Sequence, residues 1–436
     1  MMQAQAAIVL LVVFFFLLFM KVPISFSIIS SALVTIIMFM DPRFGMFISA
    51  QKMASGIDSF SLLAVPFFIL AGTLMSNGGI AQRIIDLAML VLGRVPGSLA
   101  LTNIAGNTVF GSLSGSGIAA ATAIGGVMNP LEKEQGYDEA FAAATNIATA
   151  PVGQLIPPTN AFIVYSAAAG GTSVAALLMA GWIPGLLWAV LCGAVAFAYA
   201  AKNGYVVKRT ENITLKEAWS TFCRAVPSLL MIVIIIGGIL SGLFSPTEAA
   251  GVAVIYAFIL AVFVYRSIGL QDIYKVLVDA GTMTTIVMLI IGASQVLSFV
   301  LSFTGLPQAI SALLLSVSEN RIVILLIINI ILLIVGTFMD MAPALMIFTP
   351  IFLPVAKSVG MDEIQFGVMM VMNLAIGTVT PPVGSVLFVG CSVAKLKVEN
   401  VIKRLVSYFA VIIVALLFVT FVPAISEWLP KTLGLI

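Results

Sequence analysis

The chain has 436 residues, 61% of them hydrophobic and only 9% charged, with a mean hydropathy of +1.19. Soluble chains carry about 25% charged residues, so this is the composition of a polytopic membrane protein with room for ten or more spans of about 20 residues each. Twenty Lys and Arg against 18 Asp and Glu leave a net charge of +2, too balanced for a nucleic-acid binder, and the absence of histidine removes Ser-His and Cys-His catalysis, histidine-bound metals and haem ligation.

The first apolar run, residues 6–20, is followed rather than preceded by a positive charge, Lys21. That is the reverse of a signal peptide, so the run is expected to remain in the mature chain. Runs 22–40 and 59–77 follow. Residues 97–131 are apolar but broken by Gly, Ser and Pro, as in a re-entrant hairpin. The tip of this hairpin, residues 111–117, consists of small residues apart from Leu113. Glycines let an unwound backbone turn, and the hydroxyls of Ser114 and Ser116 stand beside freed carbonyls. Such a tip can replace the hydration shell of a small hard cation; close helix packing is the alternative. Residues 140–168 carry an interruption, Gly153-Gln154-Leu155-Ile156-Pro157-Pro158-Thr159-Asn160. Two adjacent prolines remove two amide donors and disfavour helix before them, which splits the span into half-helices or kinks it. Run 174–200 closes the first half. The polar stretch 202–224, with five basic and two acidic residues, is expected to be a cytoplasmic linker.

The second half supplies runs 225–244, 247–265 and 281–301, a second interrupted stretch at 323–356, and runs 364–390 and 405–426. Glu248 follows Ser245-Pro246-Thr247 at a helix start, where capping accounts for it. In the second hairpin the tip is Gly336-Thr337-Phe338-Met339-Asp340-Met341-Ala342-Pro343, and Asp340 is expected to be the most deeply placed carboxylate of the chain. A carboxylate there could bind a cation, carry a proton or pair with a distant arginine. The span at 364–390 is broken by Gly377-Thr378-Val379-Thr380-Pro381-Pro382-Val383-Gly384. Asn107, Asn146 and Asn373 fit interhelical hydrogen bonding, and Lys133-Glu134 and Asp362-Glu363 fit solvated hairpin exits.

A shift of 224 positions matches Pro130, Lys133, Gly136, Asp138, Glu139, Gly153, Pro157 and Pro158 with Pro354, Lys357, Gly360, Asp362, Glu363, Gly377, Pro381 and Pro382. Nearby, Gly79-Ile80-Ala81-Gln82 resembles Gly305-Leu306-Pro307-Gln308. The chain therefore divides into repeats 1–201 and 225–436 around the linker 202–224. Five crossings plus one hairpin is an odd number of crossings per repeat, so the copies insert with opposite orientation, an all-α architecture of inverted repeats. With the linker inside, fifteen basic residues fall on the cytoplasmic side and five outside, which places both termini in the periplasm. Paired interruptions at matching positions of two repeats point to a binding site.

As a set, Pro23-Ile24, the Ser/Gly hairpin, the two Pro-Pro segments and Leu243-Phe244-Ser245-Pro246-Thr247-Glu248-Ala249-Ala250 resemble the large membrane subunit of tripartite ATP-independent periplasmic (TRAP) transporters, the DctM-like family of the ion-transporter superfamily. The resemblance runs over essentially the whole chain. It implies a sodium-driven elevator-type importer of small organic acid anions in the bacterial inner membrane. It also implies a small four-helix membrane subunit, expected on a separate polypeptide, and a soluble periplasmic binding protein. Carried onto this sequence, one sodium site would use oxygens around Ser114, Ser116 and Gly153 to Pro157. The other would use Thr337 to Asp340 and Gly377 to Thr380, with substrate near Thr159, Asn160 and Thr380. The sialic-acid branch is the nearest in character, with C4-dicarboxylates the other substrate class. An enzyme is not expected, because an intramembrane protease would need a histidine or a second facing carboxylate. A proton-coupled transporter and an ion channel are the alternative readings.

Overall fold

A computed structural model describes residues 2–93, 95–205, 214–318 and 320–436. Part of the expected linker, residues 206–213, and Arg94 lie outside the described residues. The described residues form helices and no strands, as a chain in lipid must if its backbone groups are to be satisfied within each segment. Among the described residues seven helical segments are long and apolar enough to cross a membrane. Five match predicted crossings, at Val174–Asn203, Lys216–Leu240, Pro246–Val264, Gln271–Thr304 and Val398–Phe421; the other two, Arg321–Phe338 and Met341–Ser358, are the arms of the second hairpin.

Both hairpins are present. The first runs up Ser98–Ser114, turns at Gly115 with φ 64°, and returns along Gly117–Glu134, where Ser116 caps the amide of Ala119. The second runs along Arg321–Phe338 and returns along Met341–Ser358, with Asp340 in the capping position. Ser116 and Asp340 thus occupy equivalent places at the 224 shift.

The predicted breaks are also present. Glu139–Thr149 continues into a 3-10 turn at Ala150–Gln154, and a new helix begins at Asn160–Ala168. In the second half Glu363–Gly377 stops and Ser385–Ala394 starts after the Pro-Pro segment. Pro157-Pro158 and Pro381-Pro382 are both cis. The equivalent residues Asp138 and Asp362 cap the first helix of each broken segment, accepting from the amides of Ala140 and Ile364.

Four helices were not among the predicted runs: Pro42–Ile57, Ile80–Leu92, Leu306–Val317 and Pro423–Thr432. All are shorter than a span, and Ile80–Leu92 bends by 69° from Ala64–Asn77. Ile80–Leu92 and Leu306–Val317 follow glycines in the left-handed region, Gly79 and Gly305, so the sequence match between those two positions marks a shared turn into a short helix. The predicted crossing at 281–301 is the middle of a 35-residue helix, Leu270–Thr304.

Contacts between the halves define two ends of the molecule. At one end Asp138 receives Arg404 of the second half at 2.8 Å, and beside this contact it accepts from the Tyr199 hydroxyl of its own half at 3.1 Å. At the other, the Tyr165 hydroxyl donates to the Glu363 carbonyl at 2.6 Å, near Lys357 and Glu363, which pair with each other.

Candidate functional site

Each hairpin packs against the broken segment of its own half through a pair of glycines. A Cβ on Gly111 would meet the Gly153 Cα at 3.0 Å, and one on Gly336 would meet the Gly377 Cα at 3.1 Å. In the reverse direction, a Cβ on Gly153 or Gly377 would overlap hairpin backbone. These close approaches bring each hairpin tip to a point where the neighbouring segment is unwound.

The two tips meet across a cavity of about 300 Å³. Ser114, Gly115 and Ser116 line it from the first tip, and Asp340, Met341 and Ala342 from the second. Gln154, Asn160, Thr378 and Ser385 come from the broken segments, Gly72, Thr73 and Ser76 from Ala64–Asn77, and Met283 and Val287 from the long helix. Four helices begin here: Gly117–Glu134, Met341–Ser358, Asn160–Ala168 and Ser385–Ala394. Each N-terminus carries the equivalent of roughly half a positive charge and unpaired amides, which suits an anion. No Lys or Arg lines the cavity among the described residues, and Asp340 is its one ionisable group.

The hydroxyls nearby are arranged as acceptors. Those of Thr337, Thr378 and Thr380 donate at 2.7 Å to the carbonyls of Ile334, Ala375 and Ile376, and that of Ser114 reaches Gly111 at 3.4 Å. A hydroxyl whose proton is held by its own helix presents lone pairs outward. Hydroxyl, carbonyl and carboxylate oxygens in this arrangement fit a hard monovalent cation. Among the described residues no group of three or more His, Cys, Asp or Glu could hold a metal ion, so softer metals have no ligand set.

Of the residues singled out from sequence, Ser114, Ser116, Asn160 and Asp340 line the cavity. Gly153, Pro157, Thr159, Thr337, Gly377 and Thr380 do not. Thr159 is fully buried and its hydroxyl caps the helix by accepting from the Ala161 amide, which moves it behind the site. Gly153 and Gly377 act through the hairpin contact. Thr73, Ser76 and Ser385 escaped the sequence reading, although the Thr-to-Ser spacing of three residues in run 59–77 marks one polar helix face.

Asp340 is not the most buried carboxylate. Its side chain opens into the cavity, because it makes no capping bond to the second or third amide of the helix it precedes and keeps only the adjacent Met341 amide. Glu132 is wholly buried and Glu427 nearly so. Glu248 does cap: Ser245 accepts from the Glu248 amide, and the Glu248 carboxylate accepts from the Ser245 amide at 2.8 Å. The asparagines bridge helices, Asn107 to Asn146 at 2.9 Å and Asn373 to Asn329 at 2.6 Å.

The family model described as "Tripartite ATP-independent periplasmic transporter, DctM component" matches residues 11–425. The chain is 49% identical to the Salmonella typhimurium uncharacterized protein YgiK, over 94% of this chain and 93% of that one. It is 39% identical to the isethionate TRAP transporter permease protein DctMQ of Oleidesulfovibrio alaskensis, over 86% of this chain and 59% of that one. To the sialic acid TRAP transporter large permease protein SiaM of Vibrio cholerae it is 35% identical, over 95% and 96%. Among solved structures, the Alcanivorax borkumensis YdaH transporter superposes with a TM-score of 0.57 at 12% identity, over 85% of this chain and 86% of that one. That likeness concerns the fold alone.

Proposed function

Since the chain belongs to the DctM component family of tripartite ATP-independent periplasmic transporters, and is a multi-pass inner-membrane transport protein rather than an enzyme, we propose that it carries a small organic acid anion across the membrane together with sodium. The observation that carries this reading is the cavity itself, where four helix N-termini converge beside a lone carboxylate with no basic side chain. The N-termini favour an anion, and Asp340 opposes it. For two charges about 5 Å apart at an effective dielectric constant of about 20 the repulsion is about 3 kcal/mol. A sodium ion taken up by Asp340 and the surrounding hydroxyls cancels that repulsion, so cation and anion favour each other's binding. One sodium site draws on Ser114, Ser116 and the 153–157 segment, the other on Thr337, Asp340 and the 377–380 segment.

The packing supports a reading of how the site moves. The hairpins and broken segments form the body that carries the site, and Ala64–Asn77 and the long helix wall it from the other side. Sliding of the former past the latter would expose the cavity alternately, in an elevator motion, with the halves inverted and both termini periplasmic. The assembly is completed by a periplasmic binding protein and a small membrane subunit, which we place on a separate chain. Relatives bear the names of isethionate and sialic acid transporters at comparable identity, which supports a substrate among the small organic acid anions, sialic acid or a C4-dicarboxylate among them.

The test is uptake by proteoliposomes containing this chain, a small subunit and a binding protein, with labelled sialic acid, isethionate and a C4-dicarboxylate offered under separate sodium and proton gradients. Asp340→Asn is expected to lower sodium-driven uptake at least tenfold. An unchanged sodium response in that variant would refute the role of Asp340, and uptake driven by the proton gradient alone would refute sodium coupling.

A further inference from the structure

Glu132 lies in the last turn of Gly117–Glu134, 16 residues from Ser116 and therefore about 24 Å from the hairpin tip. It is 0% exposed. Its Oε2 receives the Asn103 amide at 3.5 Å, and its Oε1 has no hydrogen-bond partner. The neighbouring cations are engaged elsewhere, Lys133 with Glu139 at 3.0 Å and Arg404 with Asp138 at 2.8 Å.

The neighbouring segments carry further buried oxygens. Thr102 Oγ1 and Asn129 Oδ1 have no partner, and Ser98 Oγ and Tyr137 Oη have only each other and the Leu99 backbone. Tyr137 donates its amide to the Glu132 carbonyl at 2.9 Å, and its ring carries the hydroxyl beside Ser98 and Glu132. Ser98 and Thr102 sit one turn apart on the helix that supplies Asn103, and Asn129 sits one turn before Glu132. A carboxylate removed from water with neither cation nor full hydrogen bonding is strongly unfavourable. The bare Glu132 Oε1 and these four oxygens are hard donors of the kind a hard cation takes, the cation standing in place of the proton that burial otherwise leaves on the carboxyl.

We propose that Glu132 organises a binding site for a monovalent metal cation, Na+ or K+, at the base of the first hairpin. This site is separate from those at the tips and has no twin, since the 224 shift places Ala356, Ile327 and Leu353 opposite Glu132, Asn103 and Asn129. An ion there ties the return arm of the hairpin to the start of its first arm, at the opposite end from the transported ions.

Equilibrium dialysis of the purified full chain with labelled Na+ and with Rb+ as the potassium probe tests the proposal. The wild type is expected to hold one more ion per chain than Glu132→Gln, with Na+ or Rb+ in excess naming the cation. Asp340→Asn is expected to keep this ion while losing one at the tip, so a missing effect at Asp340 bears on the transport reading alone. Tyr137→Phe, which retains the carboxylate and the ring, is expected to weaken binding of the extra ion at least threefold. Equal ion counts in the wild type and Glu132→Gln, or, if that variant fails to fold, unaltered affinity in Tyr137→Phe, would overturn the site.

Discussion

Replacing Gly153 or Gly377 by alanine tests how each hairpin is held to its broken segment. In both places the added methyl group would overlap backbone of the facing hairpin, around Gly111 and Gly336, and no side chain is available to rotate away. Overpacking costs about 1–3 kcal/mol, and rigid backbone on both sides puts these sites toward the upper end. If the distortion falls on the ion-competent arrangement, 1–3 kcal/mol corresponds to a loss of sodium affinity of roughly 5- to 150-fold. Gly126 is the control, because a Cβ there meets nothing within 4 Å. In mid-helix its replacement should instead stabilise by up to about 1 kcal/mol. The assay is the sodium concentration giving half-maximal uptake, measured together with thermal stability. Gly153→Ala and Gly377→Ala should each raise that concentration, while Gly126→Ala leaves it alone. Half-saturation unchanged in both glycine variants would show that the close hairpin contacts do not shape the ion sites.

Two further substitutions probe the scaffold. Ser245→Ala removes a helix cap and should cost about 0.5–2 kcal/mol of stability while sodium half-saturation stays at the wild-type value; a shift in the latter would mean that Glu248 does more than cap. Tyr408→Phe removes the 2.6 Å hydroxyl contact with Thr145, which retains its own bond to the Phe141 carbonyl. The expected loss is about 1 kcal/mol in equilibrium unfolding, and an unaltered transition would show that the contact contributes nothing.

The parts of this molecule legible in the sequence are those where lipid leaves the chain few options. The two Pro-Pro segments could not be regular helix, and their repetition at one spacing located the breaks, while the hairpin tips and the residue after the first break gave Ser114, Ser116, Asp340 and Asn160 of the cavity; of the Ser/Gly tip only Gly115 and Ser116 leave the helix. The walls drawn from Ala64–Asn77 and the long helix were not legible, because Thr73, Ser76, Met283 and Val287 are ordinary membrane-helix residues that gain meaning only from what faces them. Burial misled for a related reason. Asp340 sits mid-run and looked deep, but a hairpin tip opens onto the cavity; Glu132, beside the solvated pair Lys133-Glu134, drew no notice in the sequence, yet its helix turns it inward. The short helices Ile80–Leu92 and Leu306–Val317 were not legible, because runs of 13 and 12 residues are too short to span a bilayer and carry no spanning signal.

The cross-half contacts bear on how the protein is made. Tyr165 must wait 198 residues for Glu363, and Asp138 waits 266 for Arg404. At about 5–20 residues per second of synthesis, those intervals are roughly 10–50 s. For that time the first half resides in the bilayer with Asp138 lacking its guanidinium and the Tyr165 phenol lacking its acceptor. Its early integrity rests on its own glycine contacts and on the Asn107–Asn146 bridge, which makes the newly inserted half the stage at which a defect in either would be most exposed to quality-control proteolysis.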